Sequence, residues 1–130
     1  MGNRLTSRLI RDLKDTAAAT DGVGWGYRLA AAVLDKRGRV VEMRPNSYKT
    51  HPVAKEYNGW GHLHAELNAV LASGLGDGRD CTVVVVRVHR NGNLACSKPC
   101  DGCRQFLEDR GFESVVYVDE EGELIEETLN

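Results

Sequence analysis

His64-Ala65-Glu66-Leu67-Asn68-Ala69 and, later in the chain, Pro99-Cys100-Asp101-Gly102-Cys103 are the two stretches on which the reading turns. Together they offer one imidazole, two thiols and a carboxylate two residues beyond the imidazole. Three protein ligands leave a tetrahedral zinc one open position for water, and a carboxylate beside it can take that water's proton. A structural zinc takes four protein ligands and has no use for Glu66. The donor set therefore reads as a catalytic zinc site, with His64, Cys100 and Cys103 as ligands and Glu66 as acid and base.

The segments around these stretches set the fold. Leu5, Leu9, Ile10, Leu13 and Ala17 recur at helical spacing, which predicts an amphipathic helix over 4–19 ended by Thr20-Asp21-Gly22. Tyr27 to Leu34 suits a buried strand, Asp35-Lys36-Arg37-Gly38 a turn, and Arg39 to Met43 the returning strand of a hairpin. Residues 44–61 follow neither period and contain two prolines, so a long functional loop is expected there. His64 to Ser73 reads as a helix stopped by Gly74, and Val83 to Val88 as a central strand. Pro99 suits the start of a further helix running to about Arg110. Ser114 to Val118 is a strand, and too few residues separate Val118 from Leu124 for a crossover, so a closing hairpin is expected. This order predicts a three-layer α/β/α sandwich on a mixed sheet of about five strands, with a C-terminal β-hairpin.

Both halves of the metal site fall at helix starts in this scheme. Thiolates there are stabilised by unpaired backbone N–H groups and the helix dipole, and the i, i+3 spacing of Cys100 and Cys103 turns both sulfurs to one face. Backbone N–H groups near Ala65 and Cys100 are left to hold an oxygen at the metal.

These motifs resemble those of the cytidine deaminase superfamily, over roughly residues 25–125. His64-Ala65-Glu66-Leu67-Asn68-Ala69 is similar to the HAExNA string of deoxycytidylate deaminases, and Pro99-Cys100-Asp101-Gly102-Cys103-Arg104-Gln105 to the PCxxCRQ string of free-cytidine deaminases. The resemblance implies a Zn2+-dependent hydrolase that converts cytosine to uracil with a zinc-bound hydroxide, Glu66 shuttling the protons. It also implies that Asn46, at the end of the second strand, contacts the sugar. The chain departs from the free-cytidine branch in using His64 where Cys is usual, and in placing Tyr48 where a glutamate follows the strand-end asparagine.

Composition narrows the partners. The chain has 130 residues, 42% hydrophobic and 28% charged, enough for one domain with its own core, so 1–130 is read as a single deaminase domain. Residues 1–8 become amphipathic at once and lack the apolar core of a signal peptide, so a cytoplasmic protein with reduced cysteines is expected. Residues 111–130 carry seven acids and no Lys or Arg, leaving the first 110 residues with 17 basic and 12 acidic side chains. A free cytosine nucleoside or nucleotide is the preferred substrate, since little chain remains to grip a polymer. Single-stranded DNA or RNA is the alternative, with Lys49, His51, Lys55, Tyr57 and Trp60 in the long loop as its contacts. His51 and Trp60 are also candidates for the substrate contacts of the preferred reading. From another class, a zinc-stabilised binding domain without catalysis would need Cys96 as a fourth ligand. The resemblance adds self-association into oligomers, for which no interface is marked in the sequence.

Overall fold

The computed structural model describes residues 6–19, 28–58 and 62–129, with only the backbone of Tyr48, Asn58 and His62. Twelve elements follow one another: α1 (Ser7–Ala18), β1 (Arg28–Leu34), β2 (Val40–Pro45), β3 (Ser47–Thr50), α2 (Pro52–Asn58), β4 (His62–Leu63), α3 (Ala65–Ser73), β5 (Thr82–Val88), β6 (Leu94–Ala95), α4 (Asp101–Asp109), β7 (Ser114–Val118) and β8 (Leu124–Thr128).

The sheet runs β2-β1-β5-β7-β8, with β6 paired to β5. Among the described residues, only the β5–β7 pair is parallel, and α4 supplies the crossover between those two strands. Val83 to Val86 of β5 are fully buried because the sheet is covered on both sides. Strand alternation divides their contacts. Val84, Val86 and Val88 join Ala30, Ala32, Leu34, Val116 and Val118 beneath Leu9, Leu13 and Ala17 of α1. Val83 and Val85 join Ala31, Val33, Val115 and Tyr117 on the opposite face, against Leu67 and Val70 of α3 and Cys103, Phe106 and Leu107 of α4. The result is the expected α/β/α sandwich.

Two tight hairpins are built alike. Asp35 Oδ1 accepts from the N–H groups of Arg37 and Arg39 at 2.9 Å each, and Asp119 Oδ1 accepts from those of Glu121 and Glu123 at 2.9 Å each. Gly38 and Gly122, both at φ 82°, take the left-handed position that each turn requires. The second of these turns closes β7 onto β8, the predicted terminal hairpin, with Val118 opposite Leu124.

Residues 44–61 differ from expectation. Instead of one loop they contain β3, which pairs with β4, and the short helix α2. Four residues of strand are too few for a period to show. Pro52 is also no breaker here, since proline is tolerated at a first helical position, where its missing N–H costs nothing. The sheet has six strands rather than about five because β6 is only two residues long. The first helix starts at Ser7, where the Thr6 hydroxyl caps it by accepting from Leu9 N–H at 3.1 Å.

Candidate active site

His64 and Cys100 are N-caps rather than first helical residues. Each has extended backbone, φ −64° and ψ 158° at His64 and φ −68° and ψ 165° at Cys100, and each hands the chain into a helix. The α3 and α4 starts converge so that donor atoms of His64, Cys100 and Cys103 all lie within 4.8 Å of one another. His64 Nδ1 is 3.1 Å from Cys103 Sγ and 3.7 Å from Cys100 Sγ. Zinc–nitrogen and zinc–sulfur bonds of about 2.1 and 2.3 Å at tetrahedral angles put such donors about 3.6 Å apart. The spacing and the two-sulfur, one-nitrogen set fit zinc.

The three donors span a gradient of exposure. Cys103 is buried, His64 half-buried and Cys100 exposed. Cys100 Sγ accepts from the Cys103 backbone N–H at 3.4 Å. Its thiol is lowered to about 4, chiefly by the Cys103 thiol donating to it, with His64 and that N–H adding to the effect. The Cys103 thiol is raised because it is that donor and is buried. His64 is raised by its hydrogen bond with Cys100. A metal would replace this shared-proton arrangement and release protons.

Glu66 is 3% exposed, and its Oε1 has no hydrogen-bond partner among the described residues. Burial raises its carboxyl above the ordinary range. A buried, unpartnered carboxylate oxygen costs stability and calls for a functional account. It lies two residues from His64 of the donor cluster.

The remaining expected residues divide. Ala65 opens α3, and its N–H belongs to the first-turn donors that no helical carbonyl can take. Asn46 is fixed by Leu29, whose N–H donates to Asn46 Oδ1 at 3.0 Å while Asn46 N–H donates to Leu29 O at 3.1 Å. His51 has a local duty, its Nδ1 accepting from Val53 N–H at 3.1 Å at the start of α2. Tyr57 anchors α2 on α4. Its hydroxyl donates to Asp109 at 2.6 Å and its ring meets Phe106 edge-on at 5.2 Å. Lys49 and Lys55 are exposed. Trp60 lies outside the described residues. Cys96, half-buried, is not part of the donor cluster, and all four cysteines are free thiols.

Two supports of the site were not read from the sequence. Ser97 knits β5 to β7 just before the second motif: its Oγ donates to Val85 O and accepts from Val118 N–H, both at 2.8 Å, and its own N–H donates to Val118 O at 2.8 Å. Arg104, next to Cys103, donates to Glu127 of β8 and, at 3.2 Å, to Glu108, while the Tyr117 hydroxyl donates to Glu127 at 2.7 Å. A serine two residues before a proline and an arginine on a helix carry no sequence signal of such partners. Both bonds depend on strands that meet only in three dimensions.

No protein-family model matches the sequence, and no curated protein matches it. Solved structures do. Cytidine deaminase from Burkholderia pseudomallei superposes with a TM-score of 0.66 at 21% identity, over 96% of this chain and 94% of that one. The chain has the cytidine deaminase fold. Cytidine deaminase from Mycobacterium leprae gives a TM-score of 0.59 at 21% identity over 92% and 88% of the two chains. That from Mycobacterium tuberculosis gives 0.56 at 23% over 85% and 83%. The cytidine deaminase fold accounts for the meeting of two helix starts at one side of the sheet, because it packs α3 and α4 on the same face. Among the described residues, no helix is long and apolar enough to cross a membrane.

Proposed function

We propose that this chain is a zinc-dependent hydrolase that deaminates the cytosine of a free nucleoside or nucleotide to uracil. The observation that carries the reading is the buried Glu66 carboxylate, its Oε1 without a hydrogen-bond partner among the described residues, beside a three-donor cluster. His64, Cys100 and Cys103 would hold the zinc, which supplies Lewis-acid activation of water when bound. Glu66 accepts a proton from the water that attacks C4 and delivers protons to N3 and to the departing amine. The C4–O bond forms, the C4–N4 bond breaks, and ammonia leaves. N–H groups at the starts of α3 and α4 orient the oxygen, and Asn46 holds the sugar. Residues 1–130 act as one catalytic domain, and four free thiols suit a reducing compartment such as the cytoplasm.

The placement of Cys96 away from the cluster counts against a closed, purely structural zinc site. Action on single-stranded DNA or RNA is the second reading, favoured by the exposed Lys49 and Lys55 between the second strand and α3. Turnover of deoxycytidine, its 5′-monophosphate and a cytosine-containing oligonucleotide at two salt concentrations separates the two. Nucleoside or nucleotide turnover that barely responds to salt supports the preferred substrate. Activity on the oligonucleotide alone, falling steeply with salt as counterion release weakens, replaces it with the polymer. Sedimentation in the same buffers tests self-association, and a monomer would remove that part of the proposal.

A further inference from the structure

The two thiols of the Cys100-Asp101-Gly102-Cys103 stretch stand in unlike settings. Cys100, the N-cap of α4, is exposed, whereas Cys103, in the first turn, is fully buried. Their Sγ atoms lie within 4.8 Å of each other, and the Cys103 backbone N–H donates to Cys100 Sγ at 3.4 Å. A disulfide brings two sulfurs to about 2.0 Å, and Cys-X-X-Cys at a helix start is the spacing on which disulfide oxidoreductases close that bond. Exposure divides the roles. A reagent in solution reaches Cys100, and the buried Cys103 stands directly behind it. The other two cysteines are placed differently: Cys81 is buried beside β5, and Cys96 is half-buried and outside the donor cluster.

We propose that Cys100 and Cys103 form a dithiol modification site: Cys100 attacks a low-molecular-weight disulfide, Cys103 resolves the adduct, and the closed pair keeps zinc out of the cluster. This regulation of the site rests on the deaminase reading above. In the first step the Cys100 sulfur bonds one sulfur of the reagent, whose S–S bond breaks and releases one reagent thiol. In the second the Cys103 sulfur bonds Cys100 Sγ and expels the other. Two electrons pass from the protein's pair to the reagent, and the two thiol protons end on the released thiols. Closure removes two of the three donors and leaves His64, too few ligands for a zinc site. The competing role is a pair that serves only as ligands, whose adducts Cys103 would not resolve.

The test treats the full chain, zinc-loaded and chelator-stripped, with glutathione disulfide and follows mass and bound zinc. The stripped wild type should lose about 2 Da and retain no adduct. Peptide mapping should place the new bond between Cys100 and Cys103, and no zinc should bind until a reductant opens it. Cys103→Ser, or Cys103→Ala should the serine variant fail to fold, should instead hold the reagent as a mixed disulfide on Cys100. Cys96→Ser should react as the wild type does. The zinc-loaded chain should react at least about tenfold more slowly, because its thiolates are engaged. A lasting adduct on Cys100 of the stripped wild type, a bond from Cys100 to Cys96, full zinc uptake by the oxidised chain, or equal rates with and without zinc overturns the proposal. Uracil formation from deoxycytidine, its 5′-monophosphate and a cytosine-containing oligonucleotide is read on the same samples. A zinc-loaded wild type that makes no uracil sinks the deaminase reading, and the regulation with it. An active wild type whose stripped thiols fail to close sinks only the modification site.

Discussion

The α3 and α4 starts use the same backbone device for different chemistry. Both N-caps are extended, and both put a side chain of the three-donor cluster where helical N–H groups are unpaired. At α4 the cap is bonded, Cys100 Sγ accepting from Cys103 N–H, whereas His64 makes no side-chain cap bond and turns Nδ1 to the cluster. The larger contrast is burial. Ala65, Glu66 and Leu67 of the first turn of α3 are buried, while Asp101, the first residue of α4, is exposed. An acid in the first turn of α4 is a solvated partner for the helix dipole. In α3 it is enclosed beside the cluster, where a carboxylate can do proton transfer. Environment separates the two roles, since both helices carry an acid in the first turn.

The contrast is broken most severely at Glu66. Glu66→Ala should keep metal and fold but reduce cytosine deamination by about 10²–10⁴-fold, the usual worth of a general acid–base group. Metal analysis, circular dichroism and uracil release on the same preparation check it, and retained turnover would strip Glu66 of its role. Next come the ligands. Cys100→Ala and Cys103→Ala should both lose metal, with Cys103→Ala also losing about 1 kcal/mol more stability because its side chain is buried. Cys96→Ser should leave metal content unchanged. Equal metal loss in Cys96→Ser would restore the closed-site reading.

A third change acts at the far ends of both helices. Gly78 lies between α3 and β5, and its N–H donates to Arg110 O, just past α4, at 2.7 Å. A Cβ there would sit 2.3 Å from the Phe112 ring, which is fully buried. Gly78→Ala should cost about 1–3 kcal/mol in denaturant unfolding through overpacking, with the metal content of the folded fraction unchanged. An unchanged midpoint would mean the ring moves freely, against its complete burial.

The smallest expected effect is on acid tolerance. Hydrogen bonds from Tyr117 and Arg104 hold the Glu127 carboxyl below its ordinary value. The native state therefore binds this proton less readily than the unfolded chain. The stabilisation is complete above the ordinary glutamate range and is lost as pH falls through the lowered value. Glu127→Gln should flatten the decline of Tm between about pH 5 and about pH 3. A decline as steep as the wild type's would show that the tie from α4 to β8 contributes nothing through this charge.

These contrasts also explain what the sequence could reveal. The α4 motif was legible because proline, two thiols at i, i+3 and an amphipathic run are all local. The terminal hairpin was legible because Asp119 and Gly122 dictate its turn. β3 and α2 were missed because four- and seven-residue elements leave no period, and Pro52 serves equally as a breaker or a first helical residue. Ser97 and Arg104 act through strands distant in sequence. Asn68 did carry a signal, an amide amid apolar helix residues, but the Pro45 carbonyl to which its Nδ2 donates was beyond local reading. His51 and Tyr57, expected among the ligand contacts, also hold α2 in place through local bonds. Polar and aromatic side chains in a short segment are needed to anchor it before they can serve anything else.

In the proposed reaction, a metal in the His64–Cys100–Cys103 cluster and the Glu66 carboxylate deaminate cytosine together. The most direct measurement follows uracil formation from deoxycytidine, its 5′-monophosphate and a cytosine-containing oligonucleotide while zinc is stripped by a chelator and restored by titration. Activity should disappear with the metal and return in proportion to zinc, reaching its plateau at one ion per chain. A chain that binds one zinc tightly, folds, and produces no uracil from any of the three substrates would contradict it.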